Sequence, residues 1–130
     1  MSTVPKSKES QVTFRVGDKI PASMKVEIPT EKLIDYCLNL DHADGGPKAE
    51  VFLNVLGISS TNYEVLQRIL EKGVYENEIS RVVESPYGTK IGINIPTPDL
   101  KGRTVIVASG WIDKDDGILR LTSSYIMKER

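Results

Sequence analysis

The spacing of apolar residues changes period along the chain. Val12, Phe14 and Val16 alternate with polar residues before Gly17-Asp18, and Met24, Val26 and Ile28 alternate again up to Pro29. Both runs predict short strands. From Thr30 the spacing becomes helical, with Leu33, Tyr36, Cys37 and Leu40 at i, i+3, i+4 and i+7 behind Thr30 as N-cap. A loop from Asp41 to Gly46 precedes Pro47, which suits the first position of a second helix. Ala49, Phe52, Leu53 and Leu56 are its apolar stripe, and Gly57 stops it. Thr61 and Glu64 have capping-box spacing for a third helix. Its buried face is Val65, Leu66, Ile69 and Leu70, and Lys72-Gly73 ends it.

From residue 79 the period is two. Ile79–Tyr87 is rich in strand formers and broken by Pro86, and Ile91, Ile93 and Ile95 alternate with Lys90, Gly92 and Asn94. Pro96, Pro98 and Gly102 make residues 96–102 a turn-rich connection. Thr104–Ile112 is a nearly continuous apolar run and predicts a central strand. Asp113–Gly117 supplies a hairpin loop, and Leu119–Met127 the last strand. Residues 1–10 have no apolar periodicity and read as a loose tail, leaving residues 11–130 as one domain. Helices first and a meander second predict an α+β fold: an N-terminal strand segment, about three helices and a four-stranded antiparallel sheet.

Composition narrows the chemistry. With 130 residues, 39% of them hydrophobic, the chain can bury a core without disulfides or a structural metal. The single cysteine, Cys37, excludes an internal disulfide and a Cys-rich zinc site, and its place in a helix stripe makes it a core residue. The single histidine, His42, excludes a two-imidazole acid/base pair. No apolar run approaches the roughly 18 residues of a membrane span, and the N-terminus has no hydrophobic signal core. A cytoplasmic protein with no membrane partner is expected. The net charge of −1 divides into +2 over residues 1–29, −5 over 30–78 and +2 over 79–130. An anionic ligand would therefore meet the C-terminal part.

Two segments are candidates for chemistry. In the first, His42, Gly45 and Gly46 precede Pro47-Lys48, so free amides at a helix start and a nearby ammonium could hold a phosphate. The plainer alternative makes His42 a solvated loop residue and Lys48 a surface cation. In the second, simple alternation along Arg120–Tyr125 puts Leu121, Ser123 and Tyr125 on one face and Arg120, Thr122 and Ser124 on the other. A bulge would change that parity. Tyr87-Gly88-Thr89-Lys90 adds a phenol, a hydroxyl and an ammonium at a strand start, where a turn is the alternative. Asp113–Gly117 lacks the glutamate of a calcium loop, and no Walker loop, dinucleotide fingerprint or hydrolase elbow is present.

Together the segments Glu31–Asn39, His42-x-x-Gly45-x-x-Lys48-Ala49, Phe52, Leu56-Gly57, Tyr87–Lys90, Gly102-Arg103-Thr104, Trp111-Ile112 and Arg120-Leu121 through Tyr125 resemble an uncharacterised small bacterial domain family. Its members occur alone and as tails of polymorphic toxins, and its layout resembles the barnase/EndoU/colicin/RelE group of metal-independent ribonucleases. Ser123 stands where the family usually has Thr, and Leu119 where it has Pro; Ser keeps the hydroxyl. The resemblance implies a toxin-like endoribonuclease without cofactors, acting on tRNA or mRNA and held in check by a small protein antitoxin. It implies His42 as general acid or base, Lys48 on the phosphate, Arg120 or Arg103 on the developing charge, and Ser123 and Tyr125 orienting the scissile phosphate. Gly45, Gly46, Tyr87, Thr89, Lys90, Arg103 and Trp111 would line the substrate. The rivals are a non-catalytic binding or immunity-like module, favoured by the near-neutral charge, and a nucleotide transferase using the same loop.

Overall fold

The computed structural model describes residues 13–127. The expected tail at residues 1–10, and Val12 of the first expected strand, lie outside them; Phe14 and Val16 are not in a strand. Strand β1 (Lys25–Glu27) comes first and is followed by α1 (Thr30–Lys32), which widens into a π-helical turn over Leu33–Cys37. Helix α2 (Gly46–Val51) does the same over Phe52–Leu56 and stops at Gly57, whose φ of 70° is left-handed. A 3-10 turn (Ser60–Asn62) leads into α3 (Tyr63–Glu76). Four strands follow within the described residues: β2 (Ile79–Ser85), β3 (Gly88–Pro98), β4 (Thr104–Asp113) and β5 (Ile118–Met127).

The fold is α+β, but the sheet has five strands and is mixed, in the order β1-β5-β4-β3-β2. The antiparallel meander β2–β5 is as expected. The addition is β1, which pairs in parallel with β5 through Lys25–Ile118, Val26–Leu119 and Glu27–Arg120. Three residues of alternation could not reveal a partner so distant in sequence.

One face of the sheet carries the core. Ile91, Ile93, Ile95, Val107, Trp111, Leu119, Leu121 and Ile126 meet Leu33, Cys37, Phe52, Leu66, Leu70 and Val74 from the helices. The π-helical turns shift the helical phase. Leu38 donates its amide to the Leu33 carbonyl, five residues back, and Leu38 is buried while Leu40 is exposed. The same slip in α2 buries Ile58 and exposes Leu53.

Two further departures have local causes. The strand β3 runs through Pro96 and Pro98 because β2 pairs only as far as Ile93, leaving an open edge where a missing N–H breaks no ladder bond. The capping box is formed by Ser59 and Asn62 at the 3-10 turn, not by Thr61 and Glu64, and α3 follows it at Tyr63 and continues past Lys72-Gly73. Gly73 lies where the helix crosses β3, and a Cβ there would come within 2.6 Å of Ile95. Gly73→Ala is therefore expected to destabilise the fold by about 1–3 kcal/mol through overpacking, although alanine is the better helix former. Urea denaturation checks this, with Ile95→Val in the same chain restoring part of the loss.

Candidate functional site

Among the described residues no helix packs on the other face of the sheet, here called the open face, and two bulges shape it. In β5 the register jumps from Gly110–Ser123 to Trp111–Leu121, so Thr122 is an extra residue. Leu121 and Ser124, three apart, both point inward and are buried. Simple alternation fails at this point: Ser123 and Tyr125 share the open face with Arg120, not with Leu121. In β2 the register jumps from Ile79–Ile93 to Arg81–Gly92, and Ser80 is the extra residue. Its hydroxyl donates to the Gly92 carbonyl at 3.0 Å.

These registers align Arg81, Gly92, Gly110 and Ser123 in one row across β2, β3, β4 and β5. A Cβ on Gly110 would lie 3.1 Å from the Thr122 hydroxyl and 3.2 Å from that of Ser123, so both hydroxyls border it. Lys48 reaches from α2 to β5, its Nζ 4.8 Å from the centre of the Tyr125 ring. Arg120 is held by Glu27, at 3.1 Å, and by Asp116, at 2.8 Å. The guanidinium holds the Asp116 carboxyl below the usual carboxylate range. A hollow of about 300 Å³ opens on this face, lined by Ser80, Arg81, Gly92, Asn94, Tyr125 and Met127 among others.

His42 stands apart from this row. Its Nδ1 accepts the amides of Asp44 and Gly45, each at 3.0 Å, its carbonyl accepts that of Gly46, and its ring meets Tyr36 edge-on at 4.8 Å. The two donors at Nδ1 assign the proton of the neutral ring to Nε2. The amides expected to bind an anion are thus spent on closing the loop. Gly45 and Gly46 are buried, and a Cβ on either would run into the carbonyls of Tyr36 and Leu40. Close approach, not phosphate, explains them. His42 lines a separate hollow with Leu40, Pro47, Glu50 and Leu53.

The other expected residues are scattered. Trp111 is fully buried on the helix side and donates to the Ser109 hydroxyl at 2.8 Å, so it cannot stack on a substrate. Arg103 is exposed in the β3–β4 connection near Asp99. Lys90 is exposed on the open face, paired with Ile112 of β4. Tyr87 and Thr89 line a larger hollow of about 520 Å³ at the β2–β3 turn, where Thr89 donates to Glu84. That hollow gathers the Tyr87 phenol, the hydroxyls of Thr13, Ser85 and Thr89 and the Lys114 ammonium, but Glu84 and Asp115 outnumber its one cation. Arg81, Gly92, Asn94 and Gly110 were missed by sequence reasoning; glycine inside a strand was the available signal.

Two buried groups lie outside the open face. Burial pushes the Cys37 thiol up to about 11. With almost no thiolate, native Cys37 is expected to stay unreactive to a disulfide reagent at pH 8 and to react on adding urea, followed by absorbance. Burial also raises Asp113, whose carboxylate accepts the Asp115 amide. The unfolded chain ionises Asp113 more readily, so its contribution to stability is lost as pH rises through the ordinary carboxylate range. Asp113→Asn is expected to gain stability relative to wild type between pH 3 and pH 7, measured by thermal unfolding. Among the described residues no group of three or more His, Cys, Asp or Glu side chains could hold a metal ion, and no helix is long and apolar enough to cross a membrane.

The site and fold define an α+β domain with helices on one sheet face and a polar, partly cationic surface on the other. The chain belongs to a family described as a domain of unknown function (DUF6883), which matches residues 19–128. An adenylate kinase of Baumannia cicadellinicola subsp. Homalodisca coagulata is 23% identical over 112 residues, covering 84% of this chain and 53% of that protein. The chain thus spans about half the length of that curated relative, and it has no G-x-x-x-x-G-K-[ST] loop. No solved structure matches.

Proposed function

We propose that this protein is a toxin-like, metal-independent endoribonuclease of a bacterial toxin–antitoxin or polymorphic toxin system, acting in the cytoplasm on RNA laid across the open sheet face. The observation that carries the reading is the contact of Lys48 with Tyr125, on the sheet face that Ser123 and Arg120 share once the β5 bulge resets the parity. An open sheet face backed by helices also suits the barnase/EndoU/RelE-like layout. RNA brings its own nucleophile, the 2′-hydroxyl. Attack on the adjacent phosphorus forms a cyclic phosphate and expels the 5′-oxygen, which needs a proton and neutralisation of the charge on phosphorus. In this reading Tyr125 donates the proton, Lys48 neutralises the charge, and Ser123 orients the phosphate. The 2′-hydroxyl loses its proton to solvent. Arg120, already balanced by two carboxylates, keeps β5 in place, and Arg81 supplies a further cation. His42 is a positioning residue that closes the loop leading to Lys48.

The test is cleavage of total RNA in EDTA together with growth on induction. Wild type should cut RNA and arrest growth, and Lys48→Ala should do neither. An intact RNA pool and normal growth with wild type would sink the proposal. A small protein covering the sheet face is the expected antitoxin. The competing reading, a non-catalytic binding module, is favoured by the withdrawal of the only imidazole into its own loop; it predicts RNA or protein binding without cleavage.

A further inference from the structure

The hollow on the open face is bounded by side chains of mixed chemistry. Arg81 is a planar cation, Asn94 has an amide that both donates and accepts, and Tyr125 and Met127 offer an aromatic ring and a thioether. Its floor is the backbone of β3 and β4 at Gly92 and Gly110, which face each other directly. Most glycines in the chain have a local reason. Gly17, Gly57, Gly88, Gly102 and Gly117 have positive φ, and Gly45, Gly46 and Gly73 are crowded to under 3.0 Å. Gly92 has neither: a Cβ there would meet nothing closer than the Ser80 hydroxyl at 3.4 Å. At Gly110 a Cβ would lie 3.1 and 3.2 Å from the hydroxyls of Thr122 and Ser123, so the bulged β5 already crowds that position, and Gly92 alone has room. Glycine inside a strand costs stability, so a position with room for a side chain but without one points to close approach by something else.

We propose that this hollow is a nucleobase subsite, in which a flat heteroaromatic ring lies on the Gly92–Gly110 backbone with its polar edge toward Asn94 and Arg81 and its phosphate toward Lys48 at the β5 end of the row. The occupant's class rests on the RNA reading above; the shape of the hollow does not. A planar ring can lie directly on a bare sheet surface, whereas a side chain at 92 would lift it. The amide of Asn94 can pair with a base edge in either sense. The two bulges turn Ser80 with Arg81 and Thr122 with Ser123 toward the same row, so polar groups border the floor on both sides.

The experiment titrates the four ribonucleoside 5′-monophosphates, and ribose 5-phosphate as the base-free control, into the ¹⁵N-labelled full chain. At least one nucleotide should shift the Gly92 and Gly110 amides and the Asn94 side-chain amide, with ribose 5-phosphate at least tenfold weaker. Gly92→Val, which fits the strand, should weaken that nucleotide about tenfold or more, and Asn94→Ala should reduce the preference among bases. The subsite is refuted if no nucleotide moves these amides, if ribose 5-phosphate binds equally well, or if neither variant changes binding. RNA cleavage without nucleotide shifts would remove the subsite and leave the nuclease. Shifts at these amides without cleavage would remove the nuclease and leave the subsite.

Discussion

Tyr125→Phe is expected to lower the rate of RNA cleavage by about 10²–10⁴-fold, the usual contribution of a positioned proton donor. The substitution keeps the ring and so keeps the contact with Lys48, whose Nζ lies 4.8 Å from the ring centre. Only the hydroxyl is lost. Lys48→Ala is expected to cost about 10²–10³-fold by removing charge from the transition state. Both rates are read from single-turnover cleavage of a short RNA in EDTA. A Tyr125→Phe rate within threefold of wild type would reassign Tyr125 to positioning, with the ring and not the hydroxyl as its working part. The double variant separates these cases, because coupled groups lose less together than the product of their single losses.

The largest stability effect should come from Trp111→Ala, at about 3–5 kcal/mol. The indole is fully buried, and its N–H donates to Ser109, whose hydroxyl donates in turn to the Ile93 carbonyl at 2.7 Å. Truncation therefore opens a cavity and removes one partner of a buried hydroxyl. Against the roughly 5–15 kcal/mol that holds an ordinary domain together, the loss is large. Urea denaturation followed by circular dichroism gives the value, since Trp111 is the only tryptophan and its fluorescence disappears with it. Trp111→Phe should lose less, because it fills much of the space. Equal stability of the alanine variant and wild type would contradict the burial of this side chain.

These two residues also show how far the sequence could be read. Trp111 lay in a nearly continuous apolar run, the mark of a central strand, and a core place was the simplest expectation for it. Its alternative role as a substrate platform came from the resemblance and fails on burial. Pro47 and Gly57 bracketed α2 correctly because fixed φ and left-handed φ are properties of single residues. Tyr125 is legible as a strand residue, but strict alternation does not tell which residues share its face, because one extra residue in β5 reverses the parity relative to Arg120 and Leu121. Leu40 and Leu53 left their stripes for the same reason in helical form, a slip of phase at a π-turn. Bulges and π-turns depend on what lies opposite, so single-chain periodicity does not record them. The anion loop failed because glycine serves close packing as readily as ligand contact. Here Tyr36 and Leu40 occupy the space that a side chain would need.

The parallel pairing of β1 with β5 has a consequence for the order of folding. The β2–β5 meander can assemble from neighbouring hairpins with little loop-closure entropy, whereas β1 must find β5 across a separation of 93 residues, the span of the Glu27–Arg120 contact. On a ribosome, that contact must wait until the last strand has emerged. The Glu27–Arg120 pair is thus a marker that the sheet has closed on β1, and a chain stalled before β5 would carry neither Tyr125 nor the strand against which Lys48 settles.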